Sequence, residues 1–116
     1  MVGHLMRKSA HKVLIVLVMA SSRQEASKIG RAMVKQKVAA CVNIVPAVTS
    51  IFRWQGKVQR SRETLLMVKT SGRRYAALER LIRSMHSYEV PEIIAINVDR
   101  GLSQYIAWVD QETTSN

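Results

Sequence analysis

Apolar and polar positions along the chain follow two kinds of pattern, one extended and one helical. Residues 12–20 form an almost unbroken apolar run, which is typical of a strand covered on both faces. From there to about residue 37, apolar side chains recur at every third or fourth position, which indicates an amphipathic helix. Ser22 followed by Glu25 has the capping-box spacing, so the helix is predicted to begin there.

Two further extended stretches, residues 39–54 and 57–70, are separated only by Gln55 and Gly56. This short connection predicts a β-hairpin. Pro46 interrupts the first arm, and because proline cannot donate a ladder hydrogen bond it predicts a bulge or an edge at that point.

The predicted hairpin is too long for one small domain. Arms of about 12 residues span roughly 40 Å at about 3.3 Å per residue. Phe52 and Trp54 lie near its far end and need a surface to pack on. A second copy of the chain is the simplest source of that surface.

The second half repeats the pattern of a helix followed by a strand. Residues 71–85 have helical periodicity with Ser71 as a possible cap, residues 90–98 are extended, and residues 102–109 form a short helix. The order β-α-β-β-α-β predicts an α+β, ferredoxin-like sandwich with one extra helix at the C-terminal end.

We expect one domain over residues 12–110, with residues 1–11 as a flexible N-terminal tail and residues 111–116 as a polar C-terminal tail. No run approaches the roughly 18 apolar residues that a membrane span needs. A signal peptide is the alternative interpretation of the N-terminus, because basic residues precede an apolar run; the capped helix that follows at once argues against it.

Positive charge is concentrated in the first half. The formal net charge is +10; residues 1–60 contain 11 Lys and Arg and one acid, whereas the remainder contains seven of each. This asymmetry suits a polyanionic partner such as nucleic acid, phospholipid or an acidic protein, and non-specific nucleic-acid binding would follow from charge alone. The favoured interpretation is a solvated helix face and a basic tail, because base-stacking aromatic residues are scarce.

Cys41 is the only cysteine, so an intrachain disulfide is excluded. A reducing, cytoplasmic location is therefore expected. Because the residue falls in a predicted central strand, a buried and inert thiol is the default interpretation, with capture of a soft metal as the alternative.

The stretch from Met85 to Glu92 is the richest in groups that bind metals. His86 is the leading candidate ligand, because imidazole binds copper, zinc and nickel. Met85 adds a thioether suited to copper(I), and Glu92 a carboxylate. Alternatively, His86 caps the second helix and Glu92 forms a structural ion pair, for which Lys69 is the predicted partner.

Several long motifs resemble the CutA family of divalent-cation tolerance proteins. They lie at residues 39–46, 50–57 and 90–95, with shorter matches at 69–70 and 105–108, so the resemblance covers nearly the whole domain.

This resemblance implies a ferredoxin-like homotrimer, linked to copper and other divalent metals and not to an established reaction. We therefore expect that the protein is not an enzyme. The alternative is a trimeric regulatory module that binds a small anion or a protein in a cleft between subunits. The candidate cleft residues are Lys69, Tyr88, Trp54 and Cys41. The chain also departs from the family pattern, with Met19 for threonine, Ser87 for proline and Phe52 for tyrosine, and it has Met85 and Val18 where copper-associated members carry histidine and cysteine.

Overall fold

A computed structural model describes residues 12–114, as one four-stranded sheet with three α-helices. The predicted tail at residues 1–11 and the last two residues lie outside this range. In chain order the elements are β1 (Val13–Ala20), α1 (Arg23–Lys35), β2 (Cys41–Trp54), β3 (Lys57–Ser71), α2 (Tyr75–Met85, after a 3-10 turn at Gly72–Arg74), β4 (Ile93–Asn97) and α3 (Ser103–Glu112).

The sheet has the strand order β2-β3-β1-β4, and every neighbouring pair is antiparallel. Strands β1 and β2, which flank α1, are separated by β3, so the β-α-β unit is split. This is the strand order that the predicted β-α-β-β-α-β sandwich requires, and the α+β fold is confirmed.

Helices α1 and α2 cover one face of the sheet and enclose the main core. Val16 and Val18 of β1 lie opposite Val68 and Leu66 of β3, and all four side chains are inaccessible to solvent. The helices contribute further fully buried residues, namely Ile29, Met33, Leu78 and Ile82. We call this side of the sheet the helix face.

The opposite side, which we call the open face, is apolar but only partly covered. Ile94 and Ile96 of β4 are 52% and 51% exposed. Helix α3 packs at one end of this side, where Val13 and Val109 are buried. Between that helix and the loop after α2, the open face carries Ile15, Leu17, Met19, Leu65, Met67, Ile94, Ile96 and Val45.

The hairpin of β2 and β3 is as long as predicted, and it gives the chain extents of 48 × 28 × 26 Å. The register shifts between Val45 and Val48, where Ala47 has a φ of 61°, so the bulge predicted from Pro46 is confirmed. The turn is also confirmed: Gln55 and Gly56 have φ angles of 51° and 78°.

Strand predictions need two corrections. Strand β4 begins at Ile93 and not at residue 90, because Val90–Glu92 belong to the preceding loop. Cys41 lies in β2, which is an edge strand and not a central one, and its side chain is half-buried.

Helix predictions also need correction. Ser71 does not cap α2; its hydroxyl lies 2.9 Å from the Thr113 hydroxyl, and a 3-10 turn precedes the helix. Helix α3 extends to Glu112, beyond the predicted end at residue 109 and into the expected C-terminal tail, because Thr113 is buried and bonds back to the Val109 carbonyl at 2.9 Å.

Candidate functional site

His86 ends α2 and begins the loop that leads to β4. Its backbone N–H donates to the Ile82 carbonyl at 2.9 Å, and its ψ of 141° turns the chain out of the helix. The ring Nε2 lies 2.6 Å from the Met19 carbonyl oxygen, and the Tyr88 N–H donates to Nδ1 at 3.0 Å. Because a carbonyl only accepts and an amide N–H only donates, Nε2 carries the proton and the imidazole is neutral.

Glu25 joins the start of α1 to the same loop. Its Oε1 accepts from the Ser21 N–H at 2.8 Å and the Ser21 hydroxyl at 2.9 Å, and its Oε2 accepts from the Ser87 N–H at 2.8 Å. The Glu25 N–H donates to Ser22 Oγ as predicted, but the carboxylate reaches Ser21 instead of Ser22. Partial burial disfavours the charged form, yet these hydrogen bonds lower the pKa of Glu25 to about 2.

Tyr88 connects the loop to the base of the hairpin. Its hydroxyl donates to Glu63 Oε2 at 2.8 Å, and Glu63 is buried. Burial of the phenol, together with the Glu63 carboxylate, raises the pKa of Tyr88 to about 12. The Tyr88 and His86 rings also pack together with centroids 4.8 Å apart. The loop is therefore tied to three other parts of the fold: β1, α1 and β3.

The predicted metal ligands do not converge within one chain. Both His86 nitrogens hold hydrogen bonds, Met85 packs against the core, and Glu92 is exposed. Over residues 12–114, no group of three or more His, Cys, Asp or Glu side chains is arranged to hold an ion. A metal ion centred on His86 therefore does not fit the donors of a single chain.

Only two of the four predicted cleft residues lie together. Lys69 and Cys41 face each other in the β2–β3 register, and Asn43 Oδ1 accepts from the Lys69 amine and from the Cys41 thiol, the latter at 3.9 Å. Tyr88 lies at the base of the hairpin, near Glu63, and Trp54 lies at its tip, 53% exposed.

The Lys69–Glu92 pair is not made within the chain. Lys69 lies opposite Ile15 of β1, whereas Glu92 precedes β4 at the Met19 end of the sheet. Four residues of strand separate these two levels, which is about 13 Å.

Three polar groups of the site are not evident from the sequence: the carboxylates of Glu25 and Glu63 and the side-chain amide of Asn43. The sequence indicates Glu25 only as a capping residue, although its position as the only acid in the first 60 residues is a signal. Glu63 and Asn43 gave no sequence signal, because their partners lie 25 and 26 residues away.

The residues of this loop and of the hairpin fall within a stretch that matches a known protein family. The family described as CutA1 divalent ion tolerance protein matches residues 14–112. The chain belongs to the CutA family. The prediction from the motifs is thereby confirmed.

Two CutA relatives show how much of the chain is shared. The divalent-cation tolerance protein CutA of Thermus thermophilus is 41% identical over 99 residues, which cover 85% of this chain and 96% of that protein. The mouse protein CutA is 42% identical over 103 residues, which are 89% of this chain but only 58% of the mouse protein. This chain thus spans little more than half of the mouse protein's length.

Solved CutA structures share the fold. The Thermus thermophilus protein superposes with a TM-score of 0.87 at 40% identity, covering 88% of this chain and 99% of that one. A Nostoc structure titled a PII-like protein CutA in apo form gives 0.82 at 35% identity, covering 89% and 99%. Among the described residues of the present chain, no helix is both long and apolar enough to cross a bilayer.

Proposed function

We propose that this CutA protein acts as a homotrimer in divalent-cation tolerance, with the open faces of its sheets turned toward one another. The observation that carries the trimer is the open face itself. Ile94 and Ile96 are half exposed, although they lie in a row with Ile15 and Leu17 that would be a core in a covered sheet.

The hairpin supports the same assembly. Its far end carries Phe52 and Trp54, which are 42% and 53% exposed. A hairpin that extends beyond its own domain can reach the next copy in a closed ring, because head-to-tail contacts close under rotational symmetry.

Light scattering coupled to gel filtration tests the assembly. A trimer gives three times the 13.1 kDa chain mass, or roughly 39 kDa. A mass of one chain at micromolar concentration would contradict the proposal.

The cation is proposed to bind between subunits, because the donors of one chain do not converge. Glu89 and Glu92 are exposed carboxylates in the loop between α2 and β4, and they are the groups that a second chain can complement. Copper is the more specific version of the proposal. It requires the His86 imidazole to release one of its two hydrogen bonds.

Calorimetric titration of copper into the wild type, His86→Ala and Glu92→Gln separates these versions. Loss of binding in His86→Ala alone supports copper on the imidazole. Loss in Glu92→Gln alone supports a carboxylate site. Equal isotherms for all three proteins would remove both residues from the site.

The proposal includes no catalysed reaction. It also keeps a reducing, cytoplasmic location, because the Cys41 thiol is free in the described part of the chain. Fractionation of cells that produce the protein tests the location.

A second candidate function is binding of a small anion in the cleft between subunits. Lys69 favours it, because its amine is a cation on the open face and its hydrogen-bond partner is the Asn43 amide oxygen, not a carboxylate. Thermal-shift measurements with nucleotides and small carboxylates test it, since a ligand of the folded state raises the melting temperature. A Lys69→Gln variant that keeps the full shift would remove Lys69 from the site.

A further inference from the structure

Three arginines lie on one side of the distal hairpin. Strand β3 carries no bulge, so Arg60 and Arg62 point to the same side as Leu66, which is the helix face. Arg53 pairs with Val58 and therefore lies on that side too. We call Arg53, Arg60 and Arg62 the arginine face; all three are exposed.

The arginine face is not neutralised by nearby acids. Residues 26–62 contain eight Lys and Arg and no Asp or Glu. The next acid, Glu63, is buried on the opposite side and accepts from Tyr88. Within residues 12–114, the three arginines make no hydrogen bond or ion pair. Their charge is therefore free to attract an external anion.

Assembly through the open face leaves the arginine face accessible. Phe52 and Trp54 alternate with Arg53 along β2, so their side chains continue the open side of the sheet. A trimer that covers the aromatic side of the hairpin turns the arginine side outward. The accessibility of the arginine face therefore rests on the proposed assembly and not on the proposed cation site.

The chemistry of the arginine face suits phosphate. A guanidinium binds a phosphate through two parallel hydrogen bonds, and arginine is the residue that this geometry favours. Arg60 and Arg62 are two residues apart, or about 6.7 Å along the strand. Helix α1 adds exposed cations on the same side of the sheet, namely Lys28, Arg31 and Lys35.

Two features favour a duplex over a single strand. The arginine face has no aromatic residue on which unpaired bases could stack, and single-strand binders use such stacking. A two-stranded ribbon fits the roughly 12 Å wide major groove of B-form DNA. Ile51 and Val58, which are 71% and 69% exposed between the arginines, suit apolar contact with thymine methyl groups there.

We propose that the arginine face of the hairpin binds double-stranded DNA, mainly through its phosphates. Sequence preference is expected to be weak, because phosphate contacts position a protein without reading bases. Binding should also fall steeply with salt, because neutralised phosphates release counterions.

The test measures fluorescence anisotropy of a labelled 20-base-pair DNA duplex at several salt concentrations between about 50 and 200 mM. It compares the wild type with Arg53→Gln/Arg60→Gln/Arg62→Gln. Three lost phosphate contacts should reduce the slope of log K against log salt by about 2.7 for each hairpin that touches the duplex.

A charge-matched control removes three other exposed cations, Lys57→Gln/Arg80→Gln/Arg83→Gln, of which Lys57 lies on the opposite side of the hairpin and the others on α2. We expect it to keep the wild-type slope. An equal loss of slope in both variants would overturn the proposal, because binding would then depend on net charge and not on the arginine face.

Three further outcomes would also overturn it: no binding by the wild type at about 50 mM salt, tighter binding of a single strand of the same sequence, or displacement of the duplex by phosphatidylserine vesicles at equal phosphate concentration. The mass and melting temperature of the triple variant establish that it is folded. If it does not fold, the single variant Arg60→Gln is used, with an expected slope reduction of about 0.9.

Discussion

The two faces of the sheet have similar apolar composition but different surroundings. On the helix face, Val16 and Leu66 are fully buried by α1 and α2. On the open face, the side chains of Ile94 and Ile96 remain 52% and 51% exposed to solvent. The difference shows that one chain completes only the helix face. Folding of the monomer therefore depends on the helix face, and the open face is available for the proposed assembly.

The strongest test of this contrast is Leu66→Ala on the helix face. Leu66 is fully buried in the main core, so the change should lower the free energy of unfolding by about 3 kcal/mol through lost contacts and a cavity. Urea denaturation measures it. A loss under about 1 kcal/mol would mean that the helix face is not the main source of chain stability.

Ile94→Asp tests the open face. In the proposed trimer this carboxylate is buried without a partner, so the concentration of half-dissociation should rise at least 100-fold, or about 2.7 kcal/mol. Analytical ultracentrifugation measures it. Val34→Asp is the control, since Val34 is 45% exposed on the other side of the sheet. If both variants dissociated at the same concentration, the open face would contribute no more to the assembly than the opposite side of the sheet.

Tyr88→Phe tests the link between the loop and the base of the hairpin. The change leaves the buried Glu63 carboxylate without the hydroxyl that donates to it, which should cost about 1.5 kcal/mol. Urea denaturation at neutral pH measures the loss. A spectroscopic titration of the wild type should also show one tyrosine ionising near pH 12, and its persistence in the variant would contradict the assignment to Tyr88.

Glu25→Gln should have the smallest effect, about 1 kcal/mol at neutral pH, because the carboxylate is partly exposed and Ser21 and Ser87 can bond to water instead. The folded pKa of Glu25 lies below its ordinary value, so its contribution is complete above about pH 4.5 and is lost as the pH falls toward about 2. Denaturation curves of both proteins should therefore converge over that range. A constant difference down to pH 2 would exclude Glu25 as the titrating group.

The sequence predicted the order of elements and the hairpin well, because these depend on local pattern. The unbroken apolar run of β1, Pro46 and the Gln55-Gly56 turn each act within a few residues. The ends of elements were predicted less well. Ser71 looked like a helix cap, but Thr113, which lies 42 residues further along the chain, engages its hydroxyl.

The candidate site was harder to predict, because its hydrogen bonds connect distant residues. The chemistry of His86 suggested a ligand, and only the fold shows that Met19, 67 residues earlier, accepts from its ring. Charge alone predicts a carboxylate partner for Lys69, whereas the register places Cys41 opposite it and brings Asn43, two residues further along β2, within hydrogen-bond reach. Residue type is enough to identify the polar groups of the site, but the strand register and the packing of the loop determine which of them form hydrogen bonds with each other.

The bulge after Val45 fixes which chemistry each side of the hairpin carries. Before it, odd-numbered residues of β2 such as Asn43 point to the open side; after it, even-numbered residues such as Trp54 do. The single extra residue therefore shifts the side-chain alternation of the seven β2 residues that follow, from Val48 to Trp54. If β2 kept all its residues but paired without the bulge, Phe52 and Trp54 would exchange sides with Arg53 without any change in their own identity. The separation of apolar and basic side chains between the two sides of the hairpin therefore depends on a bulge of one residue.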